Sequence, residues 1–174
     1  MSRRFGRAAH APADVIERAG LQRGEKVLAS AETDDGTWLL GTRDAFVVVK
    51  AEGEATRLPW EGVETADWDS DAAQLRVAEV GEYGEVRPVH VFSVKEPGML
   101  LQLIRERVTA SVVLQRRVEL TDTKGLTVIA RRPPRRDGEI TWAYELDPGV
   151  DPADPDVFEA AEQGLRAAAD EVGL

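Results

Sequence analysis

Over its first hundred residues the chain sets out its apolar positions in short, evenly spaced segments, at 25–31, 37–41, 45–50, 55–60, 63–68, 74–80 and 89–94. Turn chemistry separates them: Asp34, Asp35 and Gly36, then Arg43 and Asp44, then Glu52, Gly53 and Glu54, then Ser70 and Asp71, then a polar loop over 81–87 with two glycines. Short alternating or β-branched runs bounded by such residues predict seven strands joined as successive hairpins. The run Phe46, Val47, Val48, Val49 has the strongest strand character. Pro59 cannot donate to a ladder, so 55–60 is expected at an edge or a bulged end.

From Pro97 the period changes. Met99, Leu100, Leu103, Ile104, Arg107, Val108 and Ser111 recur at helical spacing, and the wide stripe predicts a helix closing one end of the strand layers. Before the strands, Pro12 suits a first helical turn, Val15, Ile16 and Ala19 share a face, and Gly20 is a stop. This short helix is expected as a lid over one opening of the strand region. Residues 1–10 show no apolar periodicity and read as disordered.

After residue 112, three more strand-like segments follow at 112–120, 126–132 and 140–146. A turn over 121–125 and a loop over 133–138 rich in Pro and Arg join them. Pro148 and Pro152 stiffen a linker. Asp154 then caps a last helix with Pro155 at its first position, and Phe158, Ala161, Leu165, Ala168 and Val172 mark its apolar stripe up to Gly173. The expected class is α+β. The expected organisation is a tail with a short helix at 1–23, a strand-rich domain at 24–112, and a β-β-β-α unit at 113–174 that packs on the first domain or on a second copy of the chain.

Composition narrows the chemistry. The 174 residues suffice to bury a core without staples. With no cysteine there is no disulfide, thiolate metal site or thiol nucleophile, and two histidines, His10 and His90, are too few for a His-rich metal centre. No stretch has the apolar length of a membrane span, and the basic start lacks a following apolar region, so a cytoplasmic location is expected. The net charge of −10 is unevenly spread: +3 over 1–24, −9 over 25–98, +4 over 99–144 and −8 over 145–174. An acidic strand region disfavours contact with nucleic acid or anionic membranes there.

The segments Gly24-Glu25-Lys26-Val27-Leu28-Ala29, Thr37-Trp38-Leu39-Leu40-Gly41-Thr42 and Leu58-Pro59-Trp60-Glu61-Gly62-Val63, with the helix over 100–111, resemble the bacterial pleckstrin-homology-like (PH-like) domains. The step Gly41-Thr42-Arg43-Asp44 and the step Leu58-Pro59-Trp60-Glu61-Gly62-Val63 carry most of the likeness, which spans about 24–112; residues 113–174 resemble no family. The resemblance implies seven strands in two nearly orthogonal sheets, forming a partly open barrel closed by a C-terminal helix. It also implies a scaffold that binds peptides, proteins or lipids without catalysis. In the lipid-binding relatives the first hairpin loop is rich in Lys and Arg. Here it holds Glu32, Asp34 and Asp35, which repel a phosphate, so an anionic lipid is not expected.

No catalytic constellation and no cofactor or metal motif is present. Asp67, Asp69 and Asp71 are spaced as a calcium loop begins, but the sixth and twelfth positions hold Ala72 and Ala78 instead of Gly and Glu. A protein or peptide partner is therefore the expected ligand. Trp60, at the end of the edge segment, and Trp68 and Trp142 are candidate anchors. Arg131, Arg132, Arg135 and Arg136, with Arg116 and Arg117 nearby, form the one concentrated basic feature. They offer contact with an anion, a nucleic acid or an acidic partner, or else neutralise the chain's own acidic end. A third reading is a small-ligand protein or enzyme whose pocket would draw on Glu61, Asp67 and Glu145.

Overall fold

A computed structural model of the chain describes residues 10–135 and 138–174. The disorder expected over 1–10 falls, except for His10, outside the described residues. The described chain is mixed α+β, with three antiparallel sheets, none closed on itself. After helix α1 (Ala13–Arg18) come β1 (Ala29–Glu32), β2 (Trp38–Gly41), β3 (Ala45–Val49) and β4 (Ala55–Pro59), which pair in that order. A 3-10 turn (Trp60–Gly62) leads to β5 (Val63–Asp69), β6 (Gln74–Glu79) and β7 (Val89–Ser93), again paired in chain order. Helix α2 (Gly98–Ser111) runs without a linker into β8 (Val112–Glu119), which pairs with β9 (Gly125–Arg131), and β9 with β10 (Thr141–Leu146). Helix α3 (Pro155–Val172) comes last. Pro59 ends β4, an edge strand, as its missing N–H requires.

The turns follow from their side chains. In the first hairpin, Thr33 Oγ1 donates to the carbonyl of Thr37 at 2.9 Å, and Asp35 Oδ1 accepts from the N–H of Thr37 at 3.1 Å. Thr33 Oγ1 also bonds Asp35, so this carboxylate is spent on its own turn. In the second, Thr42 Oγ1 accepts from the N–H groups of Asp44 and Ala45 at 3.1 and 3.0 Å. In the β5–β6 hairpin, Asp69 Oδ1 accepts from the N–H groups of Asp71 and Ala72, so the triple-aspartate stretch closes that turn.

One core lies between the first two sheets and α2. Leu39, Phe46, Trp60, Val63, Leu75, Val77, Leu100 and Ile104 meet there with no exposure. Alternate residues of β2 and β3, among them Leu40, Val47 and Val49, face the other side of the first sheet, where α1 covers them with Val15 and Ala19. The short helix is thus not a lid over an opening but a cover for a sheet face. That cover explains why β2 and β3 are buried at every position, as their unbroken apolar runs require. Gly41 lets α2 approach β2: a Cβ there would stand 2.6 Å from Leu103 Cδ2 and 3.0 Å from Leu100 Cδ1.

A third core joins α3 to the last sheet through Leu126, Val128, Val157, Ala161 and Ala168. The buried stripe of α3 is Val157, Ala161, Gly164 and Ala168, while Phe158, expected inside, is 51% exposed. Small residues win because the helix sits close. A Cβ on Gly164 would lie 2.6 Å from Val118 Cγ2. The two halves interlock. Tyr83, from the β6–β7 loop, packs edge-on against Tyr144 and Phe158. Arg87 pairs with Glu64 at 2.5 Å and donates to the carbonyl of Tyr144 at 2.7 Å.

Asp147 fastens the end of β10 to the β8–β9 hairpin. It pairs with Arg117 through both carboxylate oxygens and accepts from the N–H of Gly125 at 2.8 Å. These bonds, Arg117's first, draw its carboxyl pKa down to about 2 from 3.8. A carboxylate with a depressed folded pKa stabilises the fold above its unfolded value and loses that contribution as pH falls through the folded one. Asp147→Asn is therefore expected to lower stability at neutral pH and to flatten the acid limb between the two pKa values, as read in chemical melts across pH. An acid limb superposable on that of the parent chain would show that the pair contributes nothing.

Candidate binding groove

The residues expected at a partner surface are mostly spent inside the fold. Trp60 is fully buried, and its Nε1–H donates to the carbonyl of Thr42 at 3.1 Å. Trp68 is half-buried against the first core and Trp142 against the third. Arg131 is 4% exposed. Its Nη1 donates to the carbonyl of Val63 at 3.2 Å and to Ser111 Oγ at 3.0 Å, and its Nη2 to the carbonyl of Glu64 at 3.4 Å. Arg132 is half-buried. Arg135 reaches across to Asp44, with Nε 2.6 Å from Oδ1. Arg136 lies outside the described residues. Arg116 pairs with Glu171 and Arg117 with Asp147, two carboxylates of the acidic C-terminal stretch. Among the described residues of the basic segment, Arg131 therefore turns inward and Arg135 toward the β2–β3 turn.

The carboxylates do not converge. Glu61, Asp67 and Glu145 sit on the 3-10 turn, β5 and β10. Glu145 borders a hollow of about 440 Å³ between β10 and the β6–β7 loop, which Glu61 and Asp67 do not line. His90 pairs with Glu79 at 2.5 Å and stacks on Phe92. Among the described residues no three His, Asp or Glu side chains are placed to hold a metal ion, and no helix is long and apolar enough to cross a membrane.

A more apolar concave feature lies elsewhere among the described residues. Helix α1, the stretch leading into β1 and the first turn of α2 enclose a groove of about 470 Å³, walled by Ile16, Leu21, Val27, Leu28 and Met99. Leu28 is 51% exposed and Met99 61%, although both belong to segments that read as core-facing. Met99 stands outside because α2 buries Leu100, Leu103 and Ile104, a stripe that excludes it. Leu28 stands outside because Ala29 and Ala31 are the buried residues of β1.

Comparison with protein-family models, with curated proteins and with solved structures finds no match to this chain. The site is therefore read from its own geometry.

Glu25 makes the groove floor rigid. Its side chain is 1% exposed and takes both guanidinium nitrogens of Arg57, at 2.9 and 3.0 Å. It also bonds Thr42 Oγ1 and accepts from the N–H of Gln22 at 2.9 Å. Burial pushes its pKa up, but the hydrogen bonds of Arg57, Thr42 and Gln22 outweigh it and leave the carboxyl below its ordinary value. Glu25 is therefore an ionised anchor that ties the lead-in of β1 to β2 and β4, with no free oxygen for proton transfer. At one end the groove continues into a recess of about 180 Å³ between Lys26, Arg43 and Arg107. No sequence signal marked this site: Leu28 and Met99 fall within runs that read as core-facing, and only packing leaves them outside.

Proposed function

We propose that this chain is a non-enzymatic binding module whose groove between α1, β1 and α2 takes an extended peptide segment of a partner protein. The observation that carries the reading is the groove itself: apolar side chains left exposed in a pre-formed concavity of ligand-site size. A rigid floor pinned by Glu25 and Arg57 lowers the ordering cost of binding. We further infer that residues 24–112 are PH-like. Support comes from the four-strand and three-strand sheets followed by α2 and from the motif steps, whose residues cap the β2–β3 turn and fill the first core. An anion or nucleic-acid site at 131–136 has less support, since Arg131 points inward and Arg135 is paired.

Selection from a displayed random-peptide library on the whole chain tests the reading. Peptides with apolar side chains are expected to be enriched, and Leu28→Asp or Met99→Asp is expected to weaken them by at least about tenfold without changing the melting temperature. No enrichment, or equal binding by the variants, would sink it. A dimer in sedimentation that Leu28→Asp converts to monomer would assign the groove to a second copy instead.

A further inference from the structure

The composition of the strand-rich region is acidic, yet the recess at the end of the groove is not. Lys26 comes from the lead-in of β1, Arg43 from the β2–β3 turn and Arg107 from α2, so three elements far apart in sequence each contribute a basic residue to the lining of one small volume. The nearby carboxylates are already committed. Glu25 is held by Arg57. Asp44 takes Arg135 through both oxygens, and its contact with Arg43 is a looser 3.6 Å. Among the described residues neither Lys26 nor Arg107 has an ion-pair partner, and Arg107 Nε is shut from solvent with no acceptor.

Resting on the reading of the groove as a peptide site, we propose that it selects an acidic peptide: apolar side chains along Ile16, Leu28 and Met99, followed by a carboxylate seated among Lys26, Arg43 and Arg107. An apolar wall supplies the contact area, and the cationic end fixes direction and register along the groove. A basic peptide is rejected by the same three charges. The cations are drawn from separate elements, so only the folded chain makes this preference.

Titration calorimetry on the whole chain tests this with three capped peptides, Leu-Ile-Leu-Glu-Glu, Leu-Ile-Leu-Gln-Gln and Leu-Ile-Leu-Lys-Lys, and with dodecanoate as an alternative amphiphile. The glutamate peptide is expected to bind about tenfold tighter than the glutamine peptide, with the margin shrinking at high salt, and the lysine peptide weakest. Lys26→Gln with Arg107→Gln is expected to erase the margin, and Arg105→Gln, on the exposed side of α2, to leave it unchanged. The peptide series on the unmodified chain reads the preference even if a variant fails to fold. Equal binding of the glutamate and glutamine peptides overturns the charge selection and leaves the groove reading standing. Binding of none of the three overturns both. Saturable dodecanoate binding with no peptide binding assigns the site to an amphiphile and also overturns the proposal.

Discussion

Trp60→Ala is expected to cost about 3–5 kcal/mol of stability, the range for emptying a large aromatic site in a packed core. Trp60 has no exposure, its ring lies 6.3 Å from that of Phe46, and it packs in the core shared by the first two sheets and α2. It also stands where the chain leaves β4 for β5, and its N–H donates to the carbonyl of Asp44 at 3.3 Å. Loss of the ring opens a cavity where the two sheets meet and removes the indole donor from the Thr42 carbonyl. For a chain of this length the expected drop in melting temperature is about 10 °C or more. Trp60→Phe keeps most of the apolar volume and isolates the hydrogen bond, with an expected cost of about 1–3 kcal/mol. Thermal and urea melts of both variants check this. A drop below about 1 kcal/mol for Trp60→Ala would show that the side chain is not a core element, and would reopen its role as a partner anchor.

Arg131→Ala is expected to cost about 2–4 kcal/mol, because it removes a buried charge-assisted donor from several acceptors at once. The guanidinium ties β9 to the carbonyls of Val63 and Glu64 on β5 and to Ser111 at the end of α2. Burial lowers its pKa, against the opposing pull of Glu64 and Glu145, yet a guanidinium stays charged at neutral pH. Burial likewise raises the pKa of Glu64 despite its pair with Arg87, which marks the seam between the halves as desolvated. Loss of the tie is expected to split one unfolding transition into two, as the last sheet and α3 loosen from the first two sheets. Arg135→Ala, which breaks a half-exposed pair, is expected to cost no more than about 1 kcal/mol. If Arg131→Ala leaves stability unchanged while abolishing binding of an anionic ligand, the residue is a ligand contact and not a strut.

Much of this architecture is legible residue by residue. Every expected strand and helix appears within a few residues of its place, because turn chemistry at Asp35, Thr42, Asp69 and Asp154 acts over two to four residues. The candidate site was far less legible. Trp60, Arg131 and Arg135 carry side chains that suit a partner surface, and only their distant acceptors show otherwise. Arg131 reaches carbonyls 67 and 68 residues away, and Arg135 a carboxylate 91 residues away.

What the chain determines alone is its local periodicity: where strands and helices begin and end, which turns close them, and that the class is α+β. Near-neighbour sterics and short hydrogen bonds set these, and they need no partner element. The tertiary structure decided which apolar stripes lie inside. It placed α1 on a sheet face, set the close approach at Gly164 that turned Phe158 outward, and left Leu28 and Met99 exposed in one groove. It also brought Lys26 and Arg43, from a segment of net negative charge, to the lining of one recess with Arg107 of α2. Burial and charge pairing depend on what arrives from elsewhere in the chain, and periodicity carries no record of that.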